Sequence, residues 1–425
     1  MSHKQITNHF ILFTILVTSI VSIFSSSKCC VSGLAQPYHA LVAPITKDLK
    51  TSLYSITLNI HEKYVIDLGG PFLWYRCPKK YPTVPCASPA CSSVKPYFSP
   101  LCRPSLNTSE SRAHCACVVT PVNPVTNTCS LAQLTQKDLS VSWTNGSTPA
   151  KSIAKFNKQY VSCAPQSLLD SLPAGVSGMA GLSRSLVSVS SLFMSRKLNI
   201  KKQFSVCLPS GTYPGVMFFG DEPFRMLTPP RNDVQRILMY TPLVRKSNSA
   251  DYFISLKGIN FHGNKIVTFG AAEGYGAVKL STIVPYTTLS SRIYKPLFKA
   301  FVKATNGLPR APRVKPFKYC LNTTNLGYSR VGFPVSSIDL VLGNGGVWSI
   351  FGVNSMKQVG DNVACLALVD GGPKAKQPVV LGSFQIEDNF LLFDLEKSRL
   401  GFSSSLNFFR SSCGNFNFKG EFWGF

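Results

Sequence analysis

Twelve cysteines follow residue 35 of this 425-residue chain, and they constrain the fold more than any other feature. They are Cys77, Cys86, Cys91, Cys102, Cys115, Cys117, Cys129, Cys163, Cys207, Cys320, Cys365 and Cys413. An even dozen suits six disulfides if the chain enters an oxidising compartment, and its start points there. Residues 1–35 read as a signal peptide: a weakly basic start (His3, Lys4, His9), an apolar run from Phe10 to Phe24, then small residues at Val31-Ser32-Gly33-Leu34-Ala35. Cleavage after Ala35 removes Cys29 and Cys30. The run is too short and too rich in Ser and Thr to span a bilayer. No later stretch reaches the ~18 apolar residues of a span, and Lys419 and Glu421 in the tail argue against a lipid-anchor signal. No membrane anchor is expected. Acceptor sequons at Asn107, Asn145 and Asn322 agree with export as a glycoprotein. Cys115-Ala116-Cys117 lacks the flanking spacings of a zinc site, so neither a metal nor a cofactor is expected.

Charge narrows the partners. Lys and Arg number 44 against 19 Asp and Glu, and residues 1–35 hold two Lys and no acid, so nearly all of the excess stays on the exported part. Such a surface attracts polyanions. No nucleic-acid-binding signature is present, and an exported glycoprotein rarely meets nucleic acid; acidic cell-wall polysaccharide suits the compartment better. A basic surface that serves only solubility is the plainer reading.

The pattern is all-β. Short β-branched and aromatic runs such as Tyr54-Ser55-Ile56-Thr57-Leu58-Asn59-Ile60 and Val216-Met217-Phe218-Phe219-Gly220 alternate with Gly, Pro, Ser and Asn. Helical periodicity is confined to residues 291–305 and 185–198. About 390 residues exceed one comfortable core, so two lobes are expected. We place them at 36–230 and 231–413, with a crossing at Pro229-Pro230-Arg231-Asn232-Asp233 and a tail at 414–425. Residues 77–129, with seven cysteines and many Pro and Ser, read as a stapled insertion in the first lobe.

At Val65-Ile66-Asp67-Leu68-Gly69-Gly70-Pro71-Phe72-Leu73-Trp74 the sequence resembles the active-site turn of pepsin-like aspartic proteases. Other landmarks of that family follow in order: the apolar-Gly strand at 175–182, Val379-Val380-Leu381-Gly382, and the C-terminal core at 393–402. The resemblance spans 41–413 and implies a bilobal fold of two β-barrel-like lobes with a central cleft. That family's chemistry uses two carboxylates sharing one proton to activate a water. Here Ser281 stands where the second Asp belongs, in Val278-Lys279-Leu280-Ser281-Thr282-Ile283-Val284-Pro285-Tyr286. Ile283 replaces the Gly of that turn, and Leu68 replaces the hydroxyl residue that braces the two turns. No functional catalytic residue is expected; Asp67 remains as a turn acceptor. Asp370-Gly371-Gly372 could pose as a second catalytic turn, but it falls too close to 379–382 for the family order. Trp143, ahead of Asn145-Gly146-Ser147, takes the place of the flap Tyr, with an ordinary strand aromatic as the bland alternative.

Ser162-Cys163-Ala164-Pro165, Gly178-Met179-Ala180-Gly181-Leu182 and Cys413-Gly414-Asn415-Phe416-Asn417-Phe418 resemble one plant branch, the extracellular dermal glycoproteins, basic 7S globulins and xylanase-inhibitor-like proteins. Ser162 departs from it, since an aromatic often precedes that Cys. The resemblance implies pairing of Cys320 with Cys365, while Cys207 with Cys413 would tie the lobes. It further implies a cell-wall protein without protease activity that inhibits microbial glycoside hydrolases of xyloglucanase or xylanase type. The loop 370–378, with Asp370, Lys374 and Lys376, is the expected partner-binding loop, or else a plain solvated one. A wall-associated storage or small-peptide-binding globulin, and a residual aspartic endopeptidase, are the alternatives.

Overall fold

A computed structural model describes residues 38–102, 115–194, 198–227, 232–247, 249–270 and 276–419. The leader with Cys29 and Cys30, the Asn107 sequon, residues 229–231 of the expected crossing and residues 420–425 of the tail lie outside the described residues.

The apolar runs become strands of two large sheets. In the first, Ala40–Lys47, Tyr54–Leu58, Glu62–Asp67, Val176–Gly181, Leu73–Arg76, Pro149–Ala164 and Ala132–Thr144 follow one another, and pairing of Ala40 with Thr144 brings the last back to the first. Closure removes the free edges. The first lobe is therefore barrel-like. Continuous apolar sequence marks strands covered on both faces: Gly215–Gly220 is buried at every position.

Through Gly215–Gly220 and Gln203–Cys207 the same sheet continues into Phe390–Asp394, Arg399–Phe402 and Met239–Pro242. Gln203 pairs with Asp394 and Cys207 with Phe390. Three strands from beyond residue 231 thus complete the sheet that the first half begins. Stacked Phe204 and Phe393, with ring centroids 4.6 Å apart, fill the shared interior.

The second sheet runs Val347–Ile350, Ile338–Leu342, Phe253–Phe261, Gly276–Leu280, Val379–Leu381, Thr287–Leu289 and Leu368–Asp370, with Asn264–Thr268 off its path. The helix Ser291–Ala304 lays Ile293, Tyr294, Leu297 and Phe301 into the core, the 3.6-residue spacing read in the sequence.

The structure forms six disulfides: Cys77–Cys163, Cys86–Cys115, Cys91–Cys117, Cys102–Cys129, Cys207–Cys413 and Cys320–Cys365. Three of them lie wholly within 77–129, where the longest element among the described residues is the six-residue helix Pro89–Val94, so covalent staples hold what little regular structure could not. Cys207–Cys413 anchors the chain end to the shared sheet.

Candidate functional site

Each lobe builds the same local motif. In the first, Glu62–Asp67 pairs in parallel with Val176–Gly181, which pairs antiparallel with Leu73–Arg76. In the second, Gly276–Leu280 pairs in parallel with Val379–Leu381, which pairs antiparallel with Thr287–Leu289. Register fixes the correspondence: Asp67 lies opposite Gly181, and because Leu280 lies opposite Leu381, Ser281 comes beside Gly382. Both glycines are required by close approach. A Cβ on Gly181 would meet Gly70 O at 2.4 Å, and one on Gly382 would meet Tyr286 C at 2.6 Å.

The two turns face a cleft of about 710 Å³. Asp67 Oδ1 accepts the Gly69 N–H at 2.8 Å. Ser281, 6 % exposed, has its Oγ accept the N–H groups of Ile283 at 3.2 Å and Val284 at 3.0 Å. A serine hydroxyl thus does the turn-forming part of what an aspartate does, with no carboxylate. The brace between turns survives by half: buried Thr282 donates from Oγ1 to Ile66 O at 2.7 Å and accepts the Leu68 N–H at 3.3 Å, whereas Leu68 brings no hydroxyl in return. Ile283 joins the apolar cluster of Phe72 and Trp74, so a second-lobe side chain packs where the family pattern has glycine.

The sequence reading missed a second charged element in the cleft. Segment 249–251 crosses to the first lobe, where Ala250 O accepts the Arg184 N–H at 3.1 Å. There Asp251 Oδ1 lies 2.2 Å from where a Gly69 Cβ would stand, and Lys279 Nζ lies 2.9 Å from that same oxygen. Burial pushes the Asp67 carboxyl up and the Asp251 charge adds to this; the Gly69 N–H and the Lys279 ammonium pull against them. Two carboxylates therefore do converge on the cleft floor, but the second comes from Asp251 and is ion-paired to lysine. Lys279 sits two residues before Ser281 and offered a weak sequence signal; Asp251 offered none.

Of the other expected site residues, Trp143 lies in the strand Ala132–Thr144. It does not line the cleft: it pairs with Leu41, and its hairpin tip packs on segment 222–225, where the Arg225 N–H donates to Gly146 O at 2.9 Å. The wall at that place is formed by the stapled insertion, through Pro96, Tyr97, Phe98, Thr120 and Val122. Trp74 Nε1 donates to Val122 O at 3.0 Å and seats it. Asn145 and Asn322 are exposed, each accepting backbone N–H groups of its own turn through Oδ1.

The loop after Leu368–Asp370 does reach the cleft, with Gly371, Ala375, Lys376 and Gln377 on its rim and Lys374 exposed. Asp370 does not point to a partner. It accepts from Ser291 Oγ at 2.6 Å and pairs with Lys318 Nζ at 3.1 Å, contacts that hold its carboxyl below the usual range. It is a brace for the helix start, and neither of these contacts joins it to Asp67. Among the described residues no group of three or more His, Cys, Asp or Glu is placed to hold a metal ion.

Comparison with known proteins gives this architecture its relatives. The family described as "Xylanase inhibitor N-terminal" matches residues 54–221, and "Xylanase inhibitor C-terminal" matches 251–404. A protein of Oryza sativa subsp. japonica named "Chitinase CLP" is 37% identical, over 89% of this chain and 91% of its own. A solved structure titled "Crystal structure of edgp" superposes with a TM-score of 0.80 at 36% identity, covering 90% of this chain and 99% of that one. An aspartic proteinase from Irpex lacteus shares the fold alone, at a TM-score of 0.53 and 15% identity over 86% of this chain and 97% of that one. With both halves matched in order on a pepsin-like bilobal scaffold, the chain belongs to the xylanase-inhibitor-like family.

Proposed function

We propose that this protein is exported to the cell wall, cuts no peptide, and binds and blocks microbial cell-wall-degrading glycoside hydrolases of xyloglucanase or xylanase type. The observation that carries the loss of proteolysis is the second turn, where Ser281 follows its strand beside Gly382 as Asp67 stands opposite Gly181 in the first lobe. A hydroxyl cannot share the proton that two carboxylates share, and losing one positioned acid–base partner costs on the order of 10²–10⁴ in rate. Leu68 and Ile283 remove part of the supporting scaffold, and the Lys279 ammonium favours a charged Asp67 over a shared proton.

Binding is supported by the two family matches, by the disulfide-held cleft walls, and by Lys376 at the cleft rim with exposed Lys374 nearby in a chain of net charge +25. Preorganised loops lose little entropy on docking, and glycoside hydrolase active sites present paired carboxylates to a basic loop. Six disulfides, and the absence among the described residues of a helix long and apolar enough to cross a membrane, accord with export. The test titrates the purified secreted protein against a panel of fungal xyloglucan endoglucanases and xylanases, with an acid casein digest alongside. Loss of glycosidase activity near one-to-one without digestion is expected. Pepstatin-sensitive digestion would sink the reading of Ser281, and no inhibition would favour a storage or peptide-binding role.

A second reading rests on Asp251. Two carboxylates on one cleft floor are also the equipment of glycoside hydrolysis, which the name of the rice relative would suggest. Against it, Lys279 occupies Asp251 Oδ1. Release of sugar from chitin oligomers by the protein alone, abolished in Asp251→Asn, would establish it.

A further inference from the structure

A second concavity, sharing no residue with the cleft, lies between the hairpin tip at 328–332 and the chain end at 407–415. It is a groove of about 600 Å³ whose lining includes Arg330 and Arg410 and no acidic residue. Among the described residues neither guanidinium has an ion-pair or hydrogen-bond partner. The rest of the lining is hydroxyl and amide, with Ser412 and Asn415 bonded to each other at 3.0 Å; Val353 is its one aliphatic side chain among the described residues.

One ring of the lining, Tyr328, stands open, and Phe408 follows the lining residue Asn407 in sequence. Tyr328 is 64% exposed and set edge-on against Phe333 at 4.9 Å. Phe408 is 58% exposed and stacked on Phe351 at 5.9 Å. The walls are rigid. Cys413 is disulfide-bonded to Cys207 and donates its N–H to Asp388 Oδ1 at 2.8 Å, and Ser411 Oγ donates to Met226 O at 2.6 Å. On the other wall, Ser329 and Gly332 exchange backbone hydrogen bonds at 2.9 and 3.0 Å. An exposed ring and two guanidinium groups thus share one fixed frame, which would lose little entropy on taking up a ligand.

We propose that this groove binds a uronic-acid polysaccharide, Arg330 and Arg410 pairing with sugar carboxylates while Tyr328 stacks on a ring face. Guanidinium forks fit carboxylates. Hydroxyl and amide side chains both donate and accept, which suits the hydroxyls of a sugar chain. An acidic peptide would need an apolar anchor pocket, and Val353 alone does not make one. The site is independent of the inhibitor reading, since it lies outside the cleft and needs no enzyme partner.

The test uses calorimetric titration of the full secreted protein with an oligogalacturonate, with a neutral oligosaccharide of equal length and with polyglutamate. Arg330→Ala/Arg410→Asn is the informative variant, Asn being tolerated at the left-handed φ of 54° that Arg410 adopts. Lys295→Ala/Lys299→Ala, on the exposed face of the long helix, removes the same charge elsewhere. The proposal expects the arginine variant to weaken oligogalacturonate binding about tenfold or more, the worth of one charged hydrogen bond, and the lysine variant to change it little. Tyr328→Ala should weaken it further, and the neutral oligosaccharide should bind poorly. Equal losses in both double variants would reduce the effect to net charge and overturn the site. Stronger binding of polyglutamate would assign the groove to an acidic peptide instead, and equal binding of the neutral sugar would remove the arginines' role.

Discussion

In the first lobe the strand Glu62–Asp67 ends in a turn whose carboxylate accepts a backbone N–H, while in the second Gly276–Leu280 ends in one whose serine accepts two. The strand pairings beneath them are alike, and so is the glycine opposite each. What differs is the side chain that closes the turn, Asp67 in one and Ser281 in the other, the hydroxyl of Thr282 with none in return from Leu68, and Ile283, which packs into the cluster of Phe72 and Trp74. The contrast separates two jobs that an active protease assigns to one residue. Holding a turn closed needs any short oxygen acceptor, whereas sharing a proton needs a carboxylate.

The largest way to break the contrast is to rebuild the second turn. Ser281→Asp alone should leave acid proteolysis at background, because Lys279 still favours a charged Asp67. Combined with Leu68→Thr, Ile283→Gly and Lys279→Val, it should raise pepstatin-sensitive cleavage of casein by on the order of 10²–10⁴. A quadruple variant that folds, binds pepstatin and still does not cleave would show that something other than these turns was lost.

Thr282→Val removes the hydroxyl that bonds to both Ile66 O and the Leu68 N–H, groups that no water reaches. It should cost about 2–4 kcal/mol in denaturant unfolding. A cost below that of an ordinary surface change would mean the brace is idle in this protein.

Asp67→Asn tests the sign of the retained acid. Burial raises its folded-state pKa, so the ionised form opposes folding, and stability is lost as pH rises from the usual carboxylate range through the folded value. Asn keeps the oxygen acceptor for the Gly69 N–H. The variant should therefore match the parent in melting temperature at acid pH and exceed it towards neutrality. A gap that opens in the opposite direction would mean that Lys279 outweighs burial. Leu68→Thr, the mildest change, trades apolar burial for the missing half of the brace and should shift stability by about 1 kcal/mol or less.

What could be read before any coordinates were local. Asp67 with Leu73-Trp74, and Ser281 ahead of its helix, were placed by family resemblance, through short motifs whose residues are contiguous in the sequence. Cys207–Cys413 and Cys320–Cys365 came from family likeness, since connectivity is not written in spacing. The Asp251–Lys279 pair was hidden because Asp251 lies in a bend ahead of Phe253–Phe261 while Lys279 lies in Gly276–Leu280, and the two meet beside a first-lobe turn. Trp143 misled for the complementary reason. Its strand and Asn145-Gly146-Ser147 turn have the local look of a flap, but docking of the tip on Pro223 and Arg225 decides where it lies, and the stapled insertion takes the cleft wall instead.

The sheet shared by both halves has a consequence for how the protein is made. Gln203–Cys207 finds its neighbour in Phe390–Asp394, so that strand keeps a bare edge until residues 390–394 have been made. At about 5–20 residues per second the exposed interval lasts on the order of ten to forty seconds. Messages ending early would yield products able to adhere to one another through that edge, which makes a late stop codon more harmful than a simple loss of activity would suggest.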